Sequence, residues 1–117
     1  MTIVRGDVVL VQFPFASGGG SKLRPALIVQ SDRNNARLAN TIIAQITTNL
    51  RRVSEPTQLL VDPTSPEGSS SGLISQSAVS CENLATINES RIVRTIGHLS
   101  PNLMQVLGNC LREALGL

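Results

Sequence analysis

Two short apolar runs limit what this chain can fold into. Arg24-Pro25-Ala26-Leu27-Ile28-Val29 and Ile42-Ile43-Ala44-Gln45-Ile46-Thr47-Thr48-Asn49 are rich in branched aliphatic residues. Each is short for a helix and suits a strand. Each also carries a polar group at one end. The Arg24 guanidinium opens the first run, and the Thr47 and Thr48 hydroxyls close the second. If the two strands pair antiparallel, the start of one lies beside the end of the other. A fixed cation then sits next to a hydroxyl at one rim of a small sheet. That suits a phosphodiester, because arginine offers two parallel donors to phosphate oxygens and does not lose its charge.

Along the whole chain the pattern gives strands over 8–13, 26–30, 41–46 and 58–61, the middle two being these runs. Residues 14–22, with Gly18, Gly19 and Gly20, form a glycine-rich loop that carries no core. Pro25 is placed at the entrance of the second strand, where it is best tolerated. Residues 31–40 form a polar connection with one helical turn, 47–57 a basic loop, and 62–72 a second flexible loop rich in Pro, Gly and Ser. Two short strands are expected over 72–76 and 77–83, with 85–87 continuing, then a helical turn over 88–92 and a last strand over 95–99. The C-terminal helix has the clearest signals. Ser100 caps it, Pro101 takes its first position and Gly116 lies past its end. Its apolar face is Leu103, Val106, Leu107, Cys110, Leu111, Ala114 and Leu115. The fold class is therefore mainly β with a C-terminal α-helix, a small antiparallel barrel-like sheet with the helix packed on it.

At 117 residues the chain can bury one core, so a single domain over 1–117 is expected. The start has no long apolar stretch before Asp7, so no secretory signal is read there. No apolar run approaches the roughly 20 residues needed to cross a bilayer. Cys81 and Cys110 lie in apolar surroundings and read as two buried thiols of a cytoplasmic protein. One histidine and no closely spaced cysteines make a zinc site unexpected; neither a metal nor a cofactor is implied. A net charge of +2 and a pI near 8.9 permit nucleic-acid binding without arguing for it. The aromatic content, two Phe with no Tyr or Trp, disfavours a binder that stacks several bases on rings.

Four elements then fall in an ordered series: Arg5-Gly6-Asp7-Val8-Val9-Leu10-Val11, Arg24-Pro25, Ile46-Thr47-Thr48-Asn49, and Gly97-His98-Leu99-Ser100-Pro101. In that order and at those distances the chain resembles the MazF/PemK family of toxin ribonucleases, over residues 5–117. Each element alone is common; the specificity lies in the series. The resemblance implies an SH3-like small β-barrel. It also implies the toxin half of a type II toxin-antitoxin system, a metal-independent and sequence-selective endoribonuclease acting on single-stranded RNA. The implied partners are a MazE-like antitoxin with an acidic tail and a second copy of the chain in a homodimer, with no membrane involved.

The resemblance assigns the catalytic pair to Arg24 and Thr47. Read alone, Arg24 is a surface charge at a strand entrance and Thr47 a strand end whose hydroxyl caps a turn. Thr48 and Asn49 would line the same rim, and Lys22, Arg51 and Arg52 could meet phosphates. His98 titrates in a useful range, but it stands in the segment leading to the helix cap and reads as structural. Arg33 and Arg37 read as surface charge. Two departures from the family pattern are visible. No carboxylate lies between Asp7 and Asp32, which excludes a loop glutamate as general base. The later Glu-Gln element with its following Arg reads Glu82-Asn83-Leu84-Ala85, so one cation is absent. They favour a second reading, a non-catalytic module of the same fold such as a CcdB-like gyrase poison or an inactive ribonuclease.

Overall fold

The structure, a computed structural model, describes residues 2–14 and 21–117. In chain order the elements are β1 (Asp7–Pro14), β2 (Ser21–Ile28), α1 (Asp32–Arg37), β3 (Asn40–Thr47), β4 (Gln58–Val61) and β5 (Ser77–Asn88). A 3-10 turn (Glu89–Arg91), β6 (Ile92–His98) and α2 (Pro101–Leu115) follow. The strands form one antiparallel sheet in the order β4-β5-β3-β2-β1-β6. The glycine-rich run expected as a loop lies largely outside the described residues.

The central strands are buried on both faces, which is why they read as continuous apolar runs rather than alternating ones. Val8, Leu27, Ala44 and Ile46 point to one cluster, closed by Leu107 and Cys110 of α2. Val9, Val11, Ala26, Ile28 and Ile43 point to a second cluster, completed by Ile3 and Ile92. Cys81 and Cys110 are free thiols inside the first cluster. Burial, and secondarily the neighbouring Cys110, push the Cys81 thiol up to about 12.

β4 and β6 remain as edges, so strand pairing does not close the sheet. The connection from β4 to β5 spans the gap instead. Ser70 accepts from the His98 amide at 3.0 Å, and its hydroxyl donates to the His98 carbonyl at 3.0 Å. Glycine is required where the two segments meet. Gly72 has φ +74°, and a Cβ on Gly97 would stand 2.4 Å from the Ser70 carbonyl oxygen. The 72–76 segment is therefore spent on this crossing and is not the strand expected there.

Two boundaries and one apolar face also differ from expectation. β2 begins at Ser21, so Pro25 lies inside it. At Pro25 the strand pairs with Leu10 of β1, while pairing to β3 begins only at Ala26. β2 is thus a local edge there, which is where a residue without an N–H fits. β6 begins at Ile92 rather than Thr95. On α2, Val106 and Leu115 are 47% and 56% exposed, so the buried stripe is narrower than the sequence pattern. The helix signals hold: the Ser100 hydroxyl accepts from the Leu103 amide, and Gly116 ends the helix in the left-handed region. No helix among the described residues is long and apolar enough to cross a membrane.

Two glycines give opposite expectations. Gly97→Ala forces a backbone shift at the crossing and should destabilise by about 1–3 kcal/mol, the scale of overpacking. Gly108→Ala, in the middle of α2 with open space around its Cβ, should stabilise by roughly 0.5–1 kcal/mol. Thermal melts of the two variants should move in opposite directions by several degrees; equal shifts would refute the packing described.

Candidate functional site

The two apolar runs are antiparallel neighbours in the sheet. β2 and β3 pair with Ala26 across from Gln45, Leu27 from Ala44 and Ile28 from Ile43. Beyond the last paired residues, two back along β2 and two forward along β3, come Arg24 and Thr47, at the same end of the two strands. Side chains alternate with period two, so Arg24 shares a sheet face with Ala26, and Thr47 with Gln45. Lys22, two residues before Arg24, lies exposed on that face too.

Thr47 ends β3 and turns the chain. Its Oγ1 accepts from the Asn49 amide at 3.1 Å, and Asn49 Oδ1 accepts from the Arg51 amide at 3.0 Å. The turn-capping role is therefore real, yet it uses only a lone pair of the hydroxyl. The O–H proton is left to donate, and accepting one bond polarises it for that.

A second irregularity brings β5 to the same place. Ala44 pairs with Leu84, but the next residue, Gln45, pairs with Ser80, so 81–83 stand outside the ladder. This bulge re-aims Glu82 and Asn83, a recurrent use of such insertions. The Cys81 amide is satisfied by the Thr57 carbonyl at 3.0 Å instead. The result is a polar groove of about 190 Å³ lined by Gln45, Thr47, Asn49, Arg51, Arg52, Gln58, Ser80 and Asn83.

Glu82 anchors the wall of this groove. Its Oε1 accepts from Gln58 Nε2 at 2.6 Å and Ser80 Oγ at 3.2 Å; its Oε2 accepts from Arg52 Nη2 at 2.8 Å and Thr57 Oγ1 at 3.0 Å. The Gln58 bond, then those from Thr57 and Ser80 and the Arg52 charge, hold its carboxyl below the usual range. With both oxygens engaged it is a scaffold and a poor proton acceptor. Arg52 also pairs with Glu55. These are the two ion pairs among the described residues, and Arg24 takes part in neither.

The structure thus gathers Thr47, Asn49, Arg51 and Arg52 in one groove, with Arg24 and Lys22 on the adjoining strand. Arg24 is half-buried at the rim rather than a lining residue. Thr48 is exposed outside the groove, and Arg52 is already neutralised by carboxylates. His98 serves through its backbone, paired with Asp7. Gln45, Gln58 and Ser80 escaped sequence reasoning. The interruption of an apolar run by Gln45 was the one available signal.

The chain matches the family described as PemK-like, MazF-like toxin of type II toxin-antitoxin system, over residues 4–115. It belongs to this family. It is 27% identical over 118 residues to the Endoribonuclease EndoA of Bacillus subtilis, covering 100% of this chain and 97% of that protein. A solved structure of the Mycobacterium tuberculosis toxin MazF-mt6 is 29% identical, with a TM-score of 0.76 over 95% of this chain and 97% of that one. An endoribonuclease solved in complex with its cognate antitoxin, from a mycobacterial species, shares the fold. Its TM-score is 0.79 at 23% identity, over 98% of this chain and 96% of that one.

The Glu82 anchor carries a pH signature. Its folded value is depressed below 4.5, so its contribution is present above that value and is lost as pH falls through the lower folded value. Urea melts between pH 7 and 3 should show stability falling on the acid side of 4.5. Glu82→Gln should flatten that fall. An unchanged slope would mean the carboxylate is not held by the bonds described.

Proposed function

We propose that this chain is a metal-independent endoribonuclease that cuts single-stranded RNA, the toxin of a toxin-antitoxin pair, acting in the cytoplasm as one domain over 1–117. The observation that carries this reading is the pair Arg24 and Thr47 at the same end of neighbouring strands: Arg24 is in neither ion pair among the described residues, and the Thr47 hydroxyl keeps its proton to donate. The family membership and the name of the Bacillus relative support it.

In this reading the ribose 2′-oxygen attacks the adjacent phosphorus, and the bond from phosphorus to the 5′-oxygen breaks. The products are a 2′,3′-cyclic phosphate and a 5′-hydroxyl; the 2′-hydroxyl proton passes to solvent, and the departing 5′-oxygen takes one from solvent. Arg24 neutralises charge developing on the non-bridging oxygens, the kind of donor that contributes several kcal/mol. Thr47 donates to a phosphate oxygen and helps align it. Its own alkoxide is far too basic to act as general base unaided. Glu82 is occupied, so acceleration here rests on alignment and charge stabilisation. Asn49 and Arg51 continue the phosphate path, and Arg52 joins it if RNA competes it away from Glu55 and Glu82. A homodimer would extend this short groove into a longer channel. A cognate antitoxin would block it with acidic and apolar side chains facing Lys22, Arg24 and Arg51.

The engaged state of Glu82 favours one alternative, a binding module that occupies RNA without cutting it. A single experiment separates the two. Purified protein is incubated with a long single-stranded RNA in EDTA, alongside a copy carrying 2′-deoxy groups. Cutting of the RNA, with cyclic phosphate ends and a resistant deoxy copy, is expected. Arg24→Ala should lower the rate about 100-fold or more with an unchanged melting temperature. Arg24→Lys should recover little, since an ammonium lacks the two-pronged geometry. Full activity of Arg24→Ala, or cutting of the deoxy copy, would overturn the assignment.

A further inference from the structure

Gln58 opens β4 with its side-chain amide facing the groove, and the orientation of that amide is fixed. Nε2 donates to Glu82 Oε1 at 2.6 Å. Turned the other way, an oxygen would oppose a carboxylate, so Oε1 must point away from Glu82. That oxygen is shielded from water and accepts no hydrogen bond among the described residues; it is the one such buried side-chain polar atom among them. An acceptor left unsatisfied in this way costs on the order of 1–3 kcal/mol. Among the described residues the other buried polar side-chain atoms are paired, and this one stays idle at the wall of a polar groove.

We infer that Gln58 is a specificity-determining residue: its Oε1 accepts an N–H from the edge of a base bound in the groove. The inference rests on the ribonuclease reading above. The other lining groups agree with it. Ser80 Oγ is spent, accepting from Asn83 Nδ2 at 2.9 Å and donating to Glu82. Asn83 lines the same groove, and with its Nδ2 on Ser80 its Oδ1 is the amide atom left to accept. Among the four bases, guanine alone presents two adjacent donors on its Watson–Crick edge, so guanine is the base this wall fits. Oε1 is covered in the RNA-free form, so a lining side chain must turn as the base enters. Arg51 is exposed and outside both ion pairs, and Arg52 is half exposed. Exposed side chains such as these can turn toward a phosphate without loss of core packing.

Cleavage of a short RNA pool with randomised sequence, sequenced at its cut ends, tests this. The wild type should prefer guanine at one position near the cut. Gln58→Lys keeps a donor for Glu82 and removes the acceptor. It should lower the guanine preference at that position by about 10-fold or more and leave the other positions as they were. Gln58→Leu, which removes both functions, should lose the same preference. Inosine in place of guanosine, which lacks the exocyclic donor, should narrow the difference between wild type and Gln58→Lys. An unchanged profile in Gln58→Lys and Gln58→Leu, with a raised melting temperature in the latter, would assign the buried oxygen a purely structural cost and end the inference. Absence of cutting by the wild type would instead remove the ribonuclease reading beneath it.

Discussion

The register between β2 and β3 is the constraint on which the site depends. A strand shifted by one residue turns every side chain to the opposite face. Such a slip would put Arg24 behind the sheet and bury Lys22 against the core. The register is held from the far end. Val29 and Gln30 both donate to the Ile42 carbonyl, at 2.9 and 3.3 Å. The Gln30 side chain donates to Asn35 Oδ1 and the Asn40 carbonyl, Asn35 Nδ2 returns a bond to the Gln30 carbonyl, and Thr41 Oγ1 donates to Asn35 Oδ1. Gln30, Asn35 and Thr41 are buried. A polar cluster satisfied in this way admits one arrangement of the α1 connection and resists slippage. The groove chemistry is therefore aligned by residues a full strand length away from it.

The same distinction between scaffold and site runs through the motif series. Its outer members meet each other. Gly6, in a positive-φ turn closed by the Asp7 carboxylate on the Val4 amide, accepts from the Leu99 amide through its carbonyl. Asp7 pairs with His98. Arg5-Gly6-Asp7 and Gly97-His98-Leu99 thus join the two ends of the fold. Arg24 and Thr47, the inner members, lie at the same end of β2 and β3. A series of common fragments is diagnostic because the outer pair holds the frame and the inner pair falls at one end of neighbouring strands.

What the sequence revealed followed how each strand is buried. Residues of β1, β2 and β3 are apolar on both faces, and their positions were legible apart from the early start of β2. That start was hidden because Pro25 usually marks a strand entrance, and only the late onset of β3 pairing makes it tolerable inside one. β5 was misjudged for the opposite reason. Its first half is buried and its second half exposed, with the bulge at 81–83 between them. A two-residue period broken in this way looks like separate strands. The groove wall was the least visible, since Gln45, Gln58, Ser80 and Asn83 come from three strands and converge only through pairing.

Recognition in such a groove has to be polar. With no Tyr or Trp and only two Phe in the chain, stacking platforms that tolerate any base are scarce. Nor can charge discriminate among bases, because phosphate contacts position a nucleic acid without reading it. Discrimination then falls to amides and hydroxyls held in fixed orientations. The Glu82 anchor supplies that rigidity by consuming the donors of Gln58 and Ser80. Their oxygens are left with defined roles rather than free rotation. A site built to bond a particular edge rejects a base lacking it more strongly than an apolar pocket rejects a misfit, because the unmet acceptor stays buried and unpaired. The buried oxygen of Gln58 is then a cost in the free protein that a matching base removes and a mismatched one leaves in place.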